Sequence, residues 1–551
     1  MASEITDPQF DVIVIGAGIN GAGIARDAAM RGLKVLLLDK GDIGGGTSSW
    51  STRLIHGGLR YLEHGEFGLV RESLRERARL MKIAPHLVRP LEILVPIYKD
   101  ARRGFWTVRA GMIAYDLLSF AKTLERHRML STAETLRQLP GLNPEGLLGA
   151  AVYFDAQVEF AERLVLENAL SAAAQGATIL TYARVHRINV EGGKIRGVKF
   201  THEHQGSGKT VREGSDGPTE EGHFATASVV INAAGPWIDQ LLEESVGDSP
   251  PLIGGTKGSH LIVAPFAGAP DTAIYVEAET DHRPFFIIPW NGNYLIGTTD
   301  IRYDGDLDHV EIEAEEIQYL LRETNRVIPT ANLTREDILY TYSGVRPLPF
   351  TGNTDEQSIT RRHFIREHPY VDNLFSIVGG KLTTYRSLAA QTVDLVLRKL
   401  RRSFAQCTTG REPLPGAHTS DFEGFCKDFN QRSSLTKTTT ERLLRIYGMR
   451  ASAVTQLLAQ DPSLDEVIDP ESGAIAAEIV FAFKYELAQT LSDCLLRRTM
   501  VGLNSTCGLD AVEAAARIAQ KHLGWSEGRA AQEIARYRGE ISRSRLLNAE
   551  C

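Results

Sequence analysis

The sequence predicts an α/β fold: a parallel nucleotide-binding sheet with an inserted, mostly antiparallel sheet, followed by an all-α C-terminal domain. Three observations predict it. A strand, a glycine-rich turn, a helix and a second strand follow one another in register over Phe10 to Asp39. Short apolar runs with turn signals crowd Leu252 to Thr299, as antiparallel strands do. Apolar residues recur at three-to-four spacing through most of Thr438 to Tyr537, the period of packed helices. With 551 residues the chain has the length for two or more cores.

The first segment carries the strongest signal. Asp11 to Ile15 is a short β-branched run suited to a buried parallel strand. Gly16, Gly18 and Gly21 then form G-x-G-x-x-G. Gly16 allows a tight turn, Gly18 lets backbone approach a pyrophosphate, and Gly21 lets helix and strand pack closely. An Ala-rich helix follows, with Gly32 at its C-cap, and the strand Val35 to Leu38 ends at Asp39. The helix N-terminus offers free N–H groups to phosphates, and an acid about twenty residues on can bind a ribose. The pattern predicts a Rossmann-like dinucleotide site, with NAD or FAD both admissible from this segment.

Next comes a Gly/Ser/Thr loop, Gly41 to Trp50, with Thr47, Ser48 and Ser49 as candidate cofactor contacts. Small residues through His56, Gly57 and Gly58 would let backbone pass a cofactor ring, with Arg60 and Tyr61 projecting beyond it. A charged helix is predicted over Phe67 to Ile83 and a strand over Leu91 to Tyr98. Arg102 to Arg128 mixes Trp106, Ile113 and Leu117 with six arginines or lysines, which fits either a core-facing stripe or a helix lying on an anionic membrane surface. Val158 to Ala174 reads as a helix, Thr178 to Tyr182 as a strand, and Val185 as a further candidate cofactor contact. A polar insertion, Thr201 to Gly222, holds Gly208-Lys209-Thr210. It lacks the earlier glycine and the preceding strand of a phosphate-binding loop, so it reads as a hairpin tip.

Two later strands end in glycine: Ser228 to Gly235, and Leu374 to Val378 running into Gly379-Gly380-Lys381-Leu382-Thr383-Thr384. Phe285 to Pro289 and Tyr294 to Gly297 pair across an Asn291-Gly292 turn. The linker Thr408 to Ser420 places a domain boundary near Ser403. The expected division is 1–402 catalytic and 403–551 helical. Within the first part, nucleotide-binding pieces lie near 10–90, 150–250 and 340–402, and sheet pieces near 91–149 and 251–339.

Composition excludes several classes. A formal net charge of −8 gives no case for nucleic acid as partner. Cys407, Cys426, Cys494, Cys507 and Cys551 are odd in number and contain no C-x-x-C, so they read as free thiols in a reducing, cytoplasmic setting, with no metal site. The N-terminus has no secretory pattern. No run reaches the ~18 apolar residues of a spanning helix, so any membrane contact is expected to be peripheral.

A single fingerprint suggests electrons arriving directly from a small substrate. The two late glycine-terminated strands favour FAD over NAD, because Gly235 and Gly380 could line a flavin end whose charge grows on reduction. Arg60, Lys257, Arg346, Arg361 and Lys381 recur at segment ends, and together they suggest an anion pocket. The bland alternative is scattered surface charge.

GAGINGAGIARDAAMRGLKVLLLDK, HGGLRYLE, AAGPW, KGSH, GTTD, YSGVRPL and GGKLTTYR together resemble the FAD-dependent glycerol-3-phosphate dehydrogenases, over roughly Phe10 to Leu400 and again in the C-terminal GWSEGRAAQEIARYRGEI. The resemblance implies FAD, a fold similar to glycine and D-amino-acid oxidases, and oxidation of sn-glycerol 3-phosphate to dihydroxyacetone phosphate. It implies a substrate pocket of Arg60, Tyr61, Arg361 and Lys381, with Arg346 steadying alkoxide charge and His260 as base. His56 is a rival base, otherwise a histidine packed beneath the flavin loop. The family's quinone-linked branch implies a quinone acceptor and peripheral contact with the inner face of the cell membrane; a homodimer is the assembly to test. An oxygen-using oxidase, an amine oxidase of the same fold and a non-catalytic flavin-binding interaction protein remain alternatives. The insertion and the tail match no family pattern.

Overall fold

The computed structural model of the chain describes residues 9–62, 65–119, 124–202, 222–247, 250–352, 359–403 and 405–545. The insertion therefore lies almost wholly outside the described residues.

The nucleotide-binding sheet runs Phe364–Glu367, Leu374–Val378, His223–Asn232, Phe10–Ile15, Val35–Leu38, Thr178–Leu180. All but the first of these are parallel. Phe10–Ile15 occupies the middle, with Val12 opposite Val35 on one side and Val229 on the other. Helices Ile19–Met30, Ala161–Ala174 and Tyr385–Lys399 form one covering layer around Val14, Ile24, Leu164 and Leu388. Burial on both faces explains why the strands read as unbroken apolar runs. Gly23 is needed for this layer, because a Cβ there would stand 2.7 Å from the Tyr385 ring. Lys194–His202 pairs antiparallel with the outer half of His223–Asn232, so the insertion bridges two neighbouring strands.

Among the described residues the second sheet has ten strands. Thr256–Val263 pairs with Asn293–Gly297 and with Ile338–Arg346, and Asn293–Gly297 pairs with Pro284–Trp290 across the Asn291-Gly292 turn. Both turn residues have positive φ, 50° and 76°, as a tight Asn-Gly turn requires. One junction, Ala273–Glu277 on Val88–Tyr98, is parallel. Leu147–Val158 and Ile338–Arg346, which sequence reading left unassigned, both belong here and cross the expected limits at 150 and 340. The helix expected from Val158 starts at Ala161.

The C-terminal region is mainly helical, with one small hairpin, Val467–Asp469 on Ala474–Ile475. Its core is continuous with that of the second sheet, joining Val480 and Leu495 to Tyr340, Tyr342 and Trp290. Buried ion pairs reinforce the join. Asp42 receives Arg498 at 2.7 Å and Arg497 at 2.5 Å, and Arg163 meets Glu486 at 2.6 Å. The linker is pinned rather than free: Leu414 N–H donates to Ile83 O, and Gly416 N–H to Glu167 Oε2.

Candidate active site

One cavity of about 870 Å³ runs from Gly16, Gly18 and Asp39, past Gly235 and Gly379 to Thr383, to Arg346 and Arg361. Its floor is the carboxyl ends of the parallel strands, where open α/β sheets bind ligands. Gly16 holds φ +101°, and a Cβ there would lie 2.5 Å from Ala233 O. A Cβ on Gly21 would lie 1.8 Å from Gly16 O, so Gly21 serves packing and does not line the cavity. The first helical N–H groups face the turn, with Ile19 N–H donating to Ser48 Oγ at 2.9 Å. Asp39 accepts from Ala17 N–H at 2.6 Å and Gly41 N–H at 2.8 Å. Burial pushes its carboxyl pKa up.

Thr47, Ser48, His56, Val185, Gly235, Gly380, Leu382 and Thr383 all border the cavity. Thr47 also donates to Val345 O at 2.7 Å, tying the loop to the second sheet. Two expected cofactor contacts face elsewhere. Ser49 is buried and donates to Gly44 O at 2.6 Å. Gly57 N–H points away from the cavity, to Tyr115 Oη at 3.0 Å and Asp155 Oδ1 at 3.2 Å. The Ser49 hydroxyl satisfies a carbonyl of its own turn, and the buried Gly57 N–H must find an acceptor, which Tyr115 and Asp155 supply.

At the far end Arg346 and Arg361 share one carboxylate, Asp300, at 3.1 and 2.8 Å. Arg283 donates to the Asp300 backbone oxygen. Burial would raise the Asp300 pKa, but Arg346 and Arg361 hold it below the usual carboxylate range. Lys381 Nζ lies 3.1 Å from Ser73 Oγ and 4.5 Å from the centre of the Tyr61 ring. Burial brings its pKa down to about 7, against the pull of Asp155, Glu72 and Glu66. The Arg60 side chain lies outside the described residues. Lys257 is not part of this group. It is buried beside Glu313 at 2.7 Å and Glu316 at 2.9 Å, which neutralise it.

The two histidines differ. His260 is 1% exposed, rests on Tyr342 with ring centres 4.7 Å apart, and places Nε2 2.9 Å from Thr52 Oγ1. Its Nδ1 is buried without a partner among the described residues. Burial, then Arg346 and Arg53, push its pKa well down. His56 borders the cavity, and its backbone N–H is fixed by Thr383 Oγ1 at 3.1 Å. Burial, then Lys381 and Arg77, bring its pKa to about 3. Both rings are neutral at pH 7.

Sequence reading missed Asp300, Arg283, Tyr115 and Asp155. Asp300 stood inside the GTTD motif, and its position after a strand end was the available signal. Tyr115 and Asp155 carried none, since their partners come from distant segments.

A glycine-lined cradle, a helix N-terminus and a long cavity ending among guanidinium groups define a dinucleotide-dependent oxidoreductase acting on a small anion. The cradle fits FAD: small residues line its length, and added Cβ atoms at Gly16 or Gly380 would meet neighbours within 3.0 Å. Residues 11–386 match the FAD dependent oxidoreductase family, and residues 407–530 match the C-terminal domain of alpha-glycerophosphate oxidase. The chain is 46% identical over 545 residues to a glycerol-3-phosphate dehydrogenase of Synechocystis sp., covering 97% of this chain and 96% of that one. The solved glycerol-3-phosphate dehydrogenase of Bacillus halodurans, complexed with FAD, superposes with TM-score 0.78 at 28% identity, covering 99% and 98% of the two chains. Glycine oxidase of Geobacillus kaustophilus shares the fold, at TM-score 0.53 and 21% identity over 74% of this chain and 99% of that one. The chain belongs to the FAD-dependent glycerol-3-phosphate dehydrogenases.

Proposed function

We propose that the chain oxidises sn-glycerol 3-phosphate to dihydroxyacetone phosphate and passes the electrons to a quinone. The observation that carries the substrate reading is the convergence of Arg346, Arg361 and Lys381 on one end of a cavity whose other end is a dinucleotide cradle. Bound FAD supplies the two-electron acceptor. Gly16, Gly18, Asp39, Thr47, Ser48, Val185, Gly235, Gly380, Leu382 and Thr383 would hold it. The chain's own residues do the rest. Lys381 and Arg361, with Tyr61 and Arg60, grip the phosphate, and a fixed grip orients C2. As the C2 hydride leaves, the hydroxyl proton must leave too, and the C2–O bond becomes a carbonyl. Arg346 stabilises negative charge on that oxygen. The proton goes to a neutral imidazole. Both histidines border the cavity, but His260 has Nδ1 buried and Nε2 engaged by Thr52, whereas His56 is only part-buried and is taken as the base. His260 then acts as a packed partner of Thr52 and Tyr342.

Anaerobic addition of sn-glycerol 3-phosphate should bleach the flavin spectrum, and a soluble quinone should restore it. Bleaching by an amino acid instead would move the reading to an amine oxidase, and no bleaching by any small substrate would favour a non-catalytic flavin protein. Stoichiometric peroxide in air would identify the oxygen-using oxidase, which the match of residues 407–530 keeps in view.

We extend the proposal to peripheral attachment at the inner face of the cell membrane through the helix Phe105–Leu118. Trp106 and Leu117 are each 72% exposed there, and Arg109 stands 5.3 Å over the Trp106 ring. Among the described residues no helix is long and apolar enough to cross a bilayer. Anionic vesicles should carry the protein on flotation, and Trp106→Glu with Leu117→Glu should abolish that. Residues 1–402 are assigned to catalysis and 403–551 to a helical domain that completes the cavity wall. A homodimer would appear as a doubled mass in solution.

A further inference from the structure

Beneath the His56 turn lies a buried network to which the proposed reaction gives no direct role, although its Asp155 pulls on Lys381 and its Arg77 acts on His56. Asp155 is 0% exposed and forms an ion pair with Arg77. Tyr115 Oη donates to the same carboxylate, lying 2.9 and 2.8 Å from its two oxygens. Gly57 N–H completes the group, 3.0 Å from Tyr115 Oη and 3.2 Å from Asp155 Oδ1. One residue earlier, His56 N–H is held by Thr383 Oγ1. The turn is therefore gripped at two successive amides by groups from distant segments of the chain. The fit is tight: a Cβ on Gly57 would lie 2.3 Å from Tyr115 Oη and 2.6 Å from Leu74 Cδ2.

We propose that Tyr115 is a positioning residue: through Gly57 its hydroxyl sets the reach of the His56 ring into the cavity. This rests on His56 being the base. Tyr115 suits a fixed strut. Its hydroxyl is satisfied as donor by Asp155 and as acceptor by Gly57, and burial, then Asp155, keep it protonated. Asp155 in turn is locked by Arg77, which also donates to Phe154 O at 3.0 Å. A base must stand within hydrogen-bond reach of the hydroxyl it deprotonates, and a displacement of about 1 Å costs roughly a hundredfold in rate. Tyr115 lies on Phe105–Leu118, so the outward helix reaches inward to the reacting end of the cavity.

The test uses FAD-loaded, full-length Tyr115→Phe. Anaerobic flavin reduction by saturating sn-glycerol 3-phosphate should slow about tenfold or more, with the substrate concentration at half-maximal rate changed less than twofold. In a His56→Gln background the same change should have no further effect, because residues acting as a unit are not additive. A second readout needs no turnover: in histidine-labelled protein, the imidazole resonance absent from His56→Gln should move in Tyr115→Phe. Met112→Ala, on the same buried face but outside the network, should lower the melting temperature and leave that resonance in place. A wild-type rate in Tyr115→Phe beside a slow His56→Gln would overturn the proposal, as would an undiminished effect in the double variant. A wild-type rate in His56→Gln would instead remove the base reading, and the resonance would still decide the clamp. Should Tyr115→Phe lose FAD, Gly57→Ala makes the same test by pushing the turn off Tyr115, with the same expected slowing and resonance shift. An unmoved resonance there overturns the clamp.

Discussion

Lys381 gives the sharpest test of the anion grip, because its charge is in the balance at working pH. Burial brings the ammonium down to about 7 from an ordinary 10.5. Above pH 7 the neutral amine dominates, and a phosphate that binds the ammonium form must first restore the proton. Binding then weakens by the factor 1 + 10^(pH−7), about 2 at pH 7 and about 33 at pH 8.5. The ratio, about sixteenfold, corresponds to ~1.6 kcal/mol. Proton uptake on binding should rise from about 0.5 at pH 7 to nearly 1 at pH 8.5. Propyl phosphate, a monoester without a C2 hydroxyl, is a suitable probe, since a second pKa of about 6 leaves it dianionic throughout. Its dissociation constant follows from flavin absorbance, and proton uptake from calorimetry in buffers of different ionisation heat. Lys381→Arg should flatten both curves. The sign also separates binding from unfolding. A lowered lysine pKa means the folded state binds fewer protons than the unfolded one between about 7 and 10.5, so this group makes the fold more stable as pH rises through that window. Affinity falling while stability rises is the expected signature. A dissociation constant constant within twofold from pH 7 to 8.5, with buffer-independent heats, would refute the role given to Lys381.

Other expectations concern the scaffold. Gly16→Ala combines a φ of +101° with a Cβ 2.5 Å from Ala233 O, a strain of about 1–3 kcal/mol before any clash, so the purified protein should show little flavin absorbance at 450 nm. Glu162→Gln strands the guanidinium of Arg53, which is 0% exposed and 2.7 Å from Glu162 Oε1, and should cost about 3–5 kcal/mol in chemical denaturation. Asp300→Ala removes the carboxylate that holds Arg346 and Arg361 side by side, and steady-state kinetics should show the KM for sn-glycerol 3-phosphate raised about tenfold or more.

What was legible in the sequence is what local pattern decides. The Phe10–Ile15 strand, the glycine turn and the Val35–Leu38 strand are set within thirty residues by apolar runs and by backbone sterics. The helix Phe67–Ile83 and the strand Leu374–Val378 were likewise readable to the residue. Leu147–Val158 was not, because its Gly149, Ala150 and Ala151 carry little strand preference and its place is fixed by Val88–Tyr98 alongside. Lys257 and Lys381 show the same limit among site residues. Both are lysines near glycines at the edge of a strand. One is neutralised by Glu313 and Glu316, more than fifty residues away, and the other has burial and an aromatic ring but no carboxylate within ion-pair distance among the described residues. Residue type announces a possible charge; tertiary partners decide whether it is spent.

The same reasoning explains why the cationic end sits where it does. Arg346 ends one strand of the second sheet, Arg361 precedes a strand of the first, and Lys381 follows another strand of that sheet. No single element could place three cations this close, since like charges on one face repel and burial penalises each. Bringing them in from two sheets lets separate anchors hold each one: Asp300 for the two guanidiniums, Ser73 and Tyr61 for the amine. Among the described residues Asp300 pairs with both guanidiniums, while Asp155, Glu72 and Glu66 pull on Lys381 only from beyond ion-pair distance. A phosphate dianion is the ligand that would add negative charge within reach of all three. A second carboxylate placed there, by Ser73→Asp beside Lys381, would supply that charge from within, so this variant should keep its FAD and yet bind propyl phosphate at least tenfold more weakly than the wild type.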